Sequence, residues 1–290
     1  MDISKVFVMG AGTMGNGIAQ VCAQTGISVV MCDLSQDLLD KAVKNINWSV
    51  SKFVEKGKIS EGLDTVMGRI QTSTDYDGAA EADLVIEAVF EKIEVKHEVF
   101  KKLDSVVGDK TILASNTSAI PITEIAAVMS RPENFLGLHF FNPVPMMVAV
   151  EVIRGIATSD EAFQYGADFV RYIGKEPIMV NRDIAGFILN RINMLSNMEA
   201  YRLVEQGVAT PEDIDKGMRL AFGRRMGPFE TSDLVGLEVQ LMAYNNVYQE
   251  EKDLRFYPPS ILRRKVLAGH LGRKTGKGWY EYNPDGSRKE

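Results

Sequence analysis

Cysteine is scarce in this chain, two residues in 290, and Cys22 and Cys32 have no spacing that suits a metal site, a redox pair or a disulfide framework. Both fall in segments expected to be buried, so they read as small hydrophobes in a reducing compartment. No apolar run approaches the ~18 residues that a membrane-spanning helix needs. Met1-Asp2-Ile3 runs almost at once into a strand-like segment, which sets the expectation of no signal or transit peptide and of a cytoplasmic protein. Positive charge is also in deficit, with 33 Lys and Arg against 39 Asp and Glu and a net charge of −6. That balance argues against nucleic acid or an anionic membrane as the main partner, while leaving local basic clusters free to meet an anionic substrate. Internal repeats and low-complexity segments are lacking too. What remains is an ordinary globular composition, 45% hydrophobic and 25% charged, in a chain long enough for two domains.

The amino terminus carries the first positive signal. An apolar run, Ile3 to Met9, leads directly into Gly10-Ala11-Gly12-Thr13-Met14-Gly15, and a helix-like stretch, Asn16 to Thr25, follows. After Gly26 a second apolar run ends at Cys32, and Asp33 stands eighteen residues beyond the last motif glycine. A GxGxxG turn between strand and helix lets backbone approach a pyrophosphate at a helix amino terminus, and an acid ending the second strand accepts hydrogen bonds from ribose hydroxyls. That carboxylate repels a 2′-phosphate, so the expected cofactor is NAD rather than NADP.

Strand-like and helix-like segments alternate over the first ~180 residues, with strands expected near Val6, Val29, Ile70, Val85, Ile112, Leu136, Val150 and Ile178. Such alternation implies a parallel sheet with crossover helices. From Gly186 onward helix-period runs take over: Phe187 to Gln206, Pro211 to Phe222, Phe229 to Glu251 and Ser260 to Ala268. The expected organisation is therefore α/β, a Rossmann-type doubly wound sheet over residues 1–184, followed by an all-α domain over 185–290.

In an open parallel sheet, ligands lie at the carboxyl ends of the strands. Glu87 and Glu91 follow the fourth strand, Ser115-Asn116-Thr117-Ser118 the fifth, and His139 with Asn142 the sixth. A histidine has an unperturbed pKa near ~6.5, and a carboxylate on its other ring nitrogen would set its tautomer, so His139 with Glu151 twelve residues on suits a general base and its orienting acid. A buried, hydrogen-bonded core histidine is the competing reading. The Ser115 to Ser118 run suits either a helix cap or substrate contacts. Asn142 suits either a carboxamide partner or a stiff turn. Asn190, inside an apolar helical run, either fastens helices together or faces a ligand. Lys52 and Lys56 share a helical face and are either solvated surface or a grip on a phosphorylated handle.

The chain resembles the L-3-hydroxyacyl-CoA dehydrogenase family, on its bacterial 3-hydroxybutyryl-CoA branch. The resemblance spans essentially the whole sequence and rests on Gly10 to Gly15, Ala114-Ser115-Asn116-Thr117-Ser118, Leu138 to Pro143, Gly155-Ile156-Ala157-Thr158-Ser159, Met226-Gly227-Pro228 and Leu271 to Gly278. It implies His139 as catalytic base, Glu151 as its partner, and Ser118 and Asn190 as substrate-polarising residues. It also implies Glu91, Lys96 and Asn142 at the nicotinamide half of the cofactor, Lys52 and Lys56 near coenzyme A, and a homodimer through the helical domain. The implied activity is reversible hydride transfer between short-chain (S)-3-hydroxyacyl-CoA and 3-ketoacyl-CoA. Segments around Val148, Ala185 and Arg224-Arg225 depart from the short-chain members. Two alternatives stand beside this reading: a same-family dehydrogenase of a free hydroxy acid bound by Arg224 or Arg225, and a non-catalytic NADH-binding protein.

Overall fold

A computed structural model describes residues 3–289. Met1 and Asp2, on which the expectation about a leader segment partly rests, and Glu290 lie outside the described residues. The chain divides into two compact units, one ending at Ile184 and the other beginning at Ala185.

The first unit is built on eight strands: β1 (Lys5–Met9), β2 (Ser28–Cys32), β3 (Ile70–Ser73), β4 (Leu84–Glu87), β5 (Ile112–Ser115), β6 (Phe135–Phe140), β7 (Ala149–Ile153) and β8 (Glu176–Val180), in the order β3-β2-β1-β4-β5-β6-β7-β8. Its helices are α1 (Thr13–Gln24), α2 (Gln36–Glu55), α3 (Leu63–Met67), α4 (Ile93–Val106), α5 (Ile122–Ala126) and α6 (Asp160–Tyr172). Residue alternation along the strands divides the burial. Val6, Val8, Val29, Met31, Leu84, Ile86, Leu136, Leu138, Val150 and Val152 join one core with residues of α1, α2 and α6. Odd-numbered positions of β6 point the other way, where Phe100 of α4 packs edge-on against Phe135 at 4.9 Å between ring centroids.

All eight strands fall where the sequence pattern puts them, but the expected uniformly parallel sheet is corrected at one pair. β6 and β7 run antiparallel. Residues 141–148 join them without a helix, and a parallel return needs a crossover of a dozen or more residues. The turnaround has a chemical consequence, because it sets His139 directly opposite Glu151 across the ladder.

The second unit contains α7 (Leu189–Glu205), α8 (Pro211–Phe222), α9 (Pro228–Val235), α10 (Leu237–Glu251) and α11 (Ser260–Leu267). Three expectations change here. The long run Phe229 to Glu251 is two helices, because Gly236 sits at φ 104° and interrupts the helical path. The helix expected from Phe187 starts at Leu189, after left-handed backbone at Gly186 and Phe187. Nor is the unit wholly helical, since its final segment is held by bridges between Gly272 and Lys277, Lys277 and Glu281, and Tyr282 and Arg288. Two buried acids anchor that segment. Asp233 accepts from the Trp279 and Tyr280 amides and the Tyr282 hydroxyl, and Asp215 accepts from the Tyr280 hydroxyl and the Phe229 and Glu230 amides.

Candidate active site

The glycine turn follows β1 and delivers the chain into α1, whose first turn has backbone N–H groups with no intrahelical acceptor. Asp33 closes the turn from the end of β2, one oxygen accepting from Ala11 N at 2.9 Å and the other from Ser35 N at 3.1 Å. A Cβ on Gly12 would meet nothing within 4 Å, so backbone faces open space there. The adjoining cavity, about 490 Å³, is lined by Gly10, Gly12, Thr13, Met14, Asp33 and, across the β1/β4 switch of strand order, Ala88 to Phe90. An open cradle at a helix amino terminus with a carboxylate at its β2 side fits a dinucleotide with unphosphorylated ribose.

His139 is the penultimate residue of β6. Its Nδ1 lies 2.7 Å from Glu151 Oε2, with both side chains buried. The carboxylate can only accept, so Nδ1 is the donor and the basic lone pair belongs to Nε2. Phe141 packs beside the imidazole at 4.6 Å between ring centroids.

Ser118 belongs to a loop that Glu91 holds from the other side. Glu91 Oε1 accepts from Thr117 Oγ1 at 2.6 Å, Ser118 N at 2.8 Å and Ala119 N at 3.0 Å, and Oε2 pairs with Lys96 at 3.2 Å. The capping alternative for Ser115 to Ser118 fails: Pro121 is the residue preceding α5 and that helix has no side-chain cap. Instead Ser115 Oγ donates to Glu87, Thr117 Oγ1 donates to Glu91, and Asn116 Oδ1 accepts from Phe140 N at 2.9 Å, tying the ends of β5 and β6 together. Burial alone would raise the Glu91 carboxyl, but the Lys96 ammonium and the Thr117 and Ser118 donors outweigh it and hold it below the usual carboxylate range. A depressed folded value means stability that is complete above the ordinary pKa of 4.5 and is lost as pH falls through the folded value. Glu91→Gln is therefore expected to cost stability at pH 7 and progressively less below about pH 4.5, read from denaturant midpoints at each pH.

Lys52, in the last turn of α2, and Lys56, its capping residue, line a second cavity of about 560 Å³ together with Thr13, Trp48, Asn142 and Pro143. Thr13 belongs to both cavities, so the two adjoin. Lys52 also pairs with Glu55 at 2.7 Å. The wall formed by residues 143–147 is held by Lys175, a residue the sequence reading overlooked: its buried ammonium donates to the carbonyls of Val144 and Met147 at 2.7 and 2.6 Å. No spacing or motif marks that lysine, because its partners are backbone oxygens about thirty residues away. Gly17 seats the same wall, since a Cβ there would lie 2.8 Å from Val144 Cβ.

The first unit thus brings Gly10 to Gly15, Asp33, Glu91, Ser118, His139 and Asn142 to the carboxyl ends of β1, β2, β4, β5 and β6 or the segments that directly follow them, with Lys96 in the first turn of α4 and Glu151 within β7 opposite His139. Asn190 stands in the first turn of α7, in the second unit, and is half-buried rather than deep inside an apolar run. Arg224 donates to Ser196 Oγ at 3.2 Å within that same unit, and Arg225 is exposed. Cys22 and Cys32 are buried free thiols, each pushed up to about 12 by burial, with the neighbouring carboxylate of Asp33 adding to the effect at Cys32. No helix among the described residues is long and apolar enough to cross a membrane.

Comparison with known proteins agrees with this arrangement over residues 5–184 and 186–282. Residues 5–184 match the NAD binding domain of 3-hydroxyacyl-CoA dehydrogenase, and residues 186–282 match the C-terminal domain of the same family. A probable 3-hydroxybutyryl-CoA dehydrogenase of Deinococcus radiodurans is 45% identical over 96% of this chain and 100% of its own length. The mitochondrial hydroxyacyl-coenzyme A dehydrogenase of Homo sapiens is 43% identical over 97% and 91%. The crystal structure of (S)-3-hydroxybutyryl-CoA dehydrogenase from Ralstonia eutropha superposes with a TM-score of 0.93 at 42% identity, covering 97% of this chain and 100% of that one. With a glycine cradle built for NAD, a buried histidine–carboxylate pair on the same sheet edge, and both of the family's domains matched in order, the chain belongs to the NAD-dependent 3-hydroxyacyl-CoA dehydrogenase family.

Proposed function

We propose that this protein interconverts short-chain (S)-3-hydroxyacyl-CoA, 3-hydroxybutyryl-CoA above all, and the corresponding 3-ketoacyl-CoA, acetoacetyl-CoA. The observation that carries the reading is the 2.7 Å bond between His139 Nδ1 and Glu151 Oε2 at the edge of the dinucleotide sheet. When bound, NAD would supply the hydride acceptor for C3 of the substrate and, in its reduced form, the hydride donor. His139 takes the 3-hydroxyl proton on Nε2 during oxidation and returns it to the oxygen during reduction. Glu151 stabilises the imidazolium formed in between and holds the ring in its productive tautomer. Ser118 and Asn190 donate hydrogen bonds to the substrate oxygens where negative charge develops. Gly10, Gly12, Thr13, Met14 and Gly15 receive the pyrophosphate, Asp33 the adenosine ribose, and Glu91, Lys96 and Asn142 the nicotinamide half.

Residues 1–184 then serve as the cofactor domain and 185–290 as the substrate and dimerisation domain. A homodimer through the second unit is supported by its exposed apolar side chains, among them Leu220, Phe222, Met242 and Leu267. A role in fatty acid and butyrate metabolism follows from the proposed substrate pair, and a cytoplasmic location is proposed with it.

The direct test is a panel of acetoacetyl-CoA, longer 3-ketoacyl-CoAs and free 3-keto acids with NADH and NADPH. Acetoacetyl-CoA is expected to turn over, and NADH at least about tenfold better than NADPH, a difference of about 1.4 kcal/mol at Asp33. Turnover of free acids alone would reject the thioester, and equal use of the two cofactors would reject the role of Asp33.

Lys52 and Lys56 test the handle separately. Replacing both with glutamate is expected to raise KM for acetoacetyl-CoA and to reduce its sensitivity to salt, because attraction to the coenzyme's phosphates is exchanged for repulsion. The KM for NADH should hardly move. An equal rise for both, or none for either, would return the lysines to the solvated surface.

A further inference from the structure

Three charged side chains meet at the carboxyl end of β4. Glu87 is fully buried and Lys96 almost so, with Nζ 2.7 Å from Glu87 Oε1 and 3.2 Å from Glu91 Oε2. Two carboxylates therefore share one ammonium. Their other contacts are neutral donors: Val89 N at 2.7 Å and Ser115 Oγ at 2.6 Å on Glu87, and the donors from the 117–119 loop on Glu91. The formal charge of the cluster is −1. One carboxylate would suffice to pair the lysine, and neutral acceptors would suffice for the amides and hydroxyls. Of the two carboxylates Glu87 is fully buried while Glu91 is about a third exposed, so the Glu87 charge is the costly one and needs a reason beyond pairing with the lysine.

Its position supplies one. Strand order reverses between β1 and β4, and a dinucleotide laid across that point has its adenosine on the β2 side, where Asp33 stands, and its nicotinamide on the β4 and β5 side. Ala88, Val89 and Phe90, the residues directly after Glu87, line the dinucleotide cavity. The nicotinamide ring is positively charged in NAD+ and neutral in NADH, while the phosphates are the same in both. A fixed negative charge on that side binds the two forms unequally, and low-dielectric surroundings enlarge the difference.

We propose that Glu87 is the charge-setting residue of the cofactor site: its excess carboxylate raises affinity for NAD+ relative to NADH, which makes bound NADH a stronger hydride donor than free NADH. It acts through the ring's surroundings and touches neither substrate nor reacting atoms. The inference rests on the preceding assignment of NAD to this cleft.

The test is binding, not turnover: dissociation constants of NAD+ and NADH, measured by calorimetry on the full chain without substrate. Glu87→Gln keeps the side-chain volume and removes the charge, taking the cluster from −1 to 0. It is expected to lower the ratio Kd(NADH)/Kd(NAD+) by about fivefold or more. Lys96→Gln takes the cluster to −2 and should raise the ratio, so the proposal stays testable even if Glu87→Gln fails to fold. The double variant restores −1 and should bring the ratio back toward wild type even if both affinities fall. A residue that merely shaped the loop would give the double variant no such recovery. An unchanged ratio in Glu87→Gln overturns the proposal, as does a Lys96→Gln ratio that does not rise or a double variant no nearer wild type than the single. Failure of the unmodified protein to bind either dinucleotide would instead overturn the assignment of NAD to the cleft.

Discussion

His139→Gln is expected to lower kcat with acetoacetyl-CoA and NADH by roughly 10²–10⁴, the range for loss of a positioned general acid–base. Glutamine can still hydrogen-bond the buried Glu151 carboxylate, but it cannot carry the substrate proton. NADH affinity should change little, because His139 is not among the residues that line the cofactor cavity, which come from the ends of β1, β2 and β4, from Tyr76 after β3 and from the helices that follow. Glu151→Gln is expected to act in the same direction, since an amide opposite His139 cannot stabilise an imidazolium as a carboxylate does. The check is steady-state kinetics paired with NADH titration. A near wild-type kcat for either variant would make that residue a packed core group and nothing more.

The second large effect is expected at the phosphate turn, and it separates two glycines of one motif. A Cβ on Gly15 would sit 1.8 Å from the Gly10 carbonyl oxygen, and backbone cannot yield as a flexible side chain can. Gly10 is itself at φ 106°, with room for a Cβ denied by the Ala88 carbonyl at 2.6 Å. Gly15→Ala must therefore lift the start of α1 away from β1, costing about 1–3 kcal/mol or more by the measure of overpacked cores and weakening NADH binding at least about tenfold. Gly12→Ala meets no protein atom, so its stability should stay near wild type while dinucleotide affinity falls. Thermal unfolding and NADH titration of both variants decide the matter. If Gly12→Ala bound NADH normally, the open space beside it would not be where the pyrophosphate approaches.

Legibility in the sequence followed the range of the interaction. The eight strands and the cofactor motif could be read because period-2 burial, the glycine spacing and the terminal acid are local patterns, and Asp33 does bond the turn it follows. Helix ends were read well where a side chain caps them, as at Thr210 with Pro211, and badly where backbone geometry decides, as at Gly236. Glu87 and Glu91 were visible as acids at a strand end. That one lysine binds both was not, because pairing depends on how α4 returns across the sheet. Lys175 and Asn116 were unreadable for the same reason, since each bonds backbone brought near from a distant segment.

By itself the amino-acid sequence determined the α/β architecture of the first unit, the helical character of most of the second, the NAD cradle and the residue types of a proton-transferring site. Those follow from hydrophobic period, turn chemistry and the intrinsic acidity of side chains, all properties of short stretches. Only the tertiary structure decided that β7 runs back along β6, that His139 and Glu151 are cross-strand partners at 2.7 Å, and that two carboxylates share Lys96. The physical reason is that a strand's direction and a buried charge's partner are set by the packing of whole elements. That packing is a balance among distant contacts which no local pattern encodes.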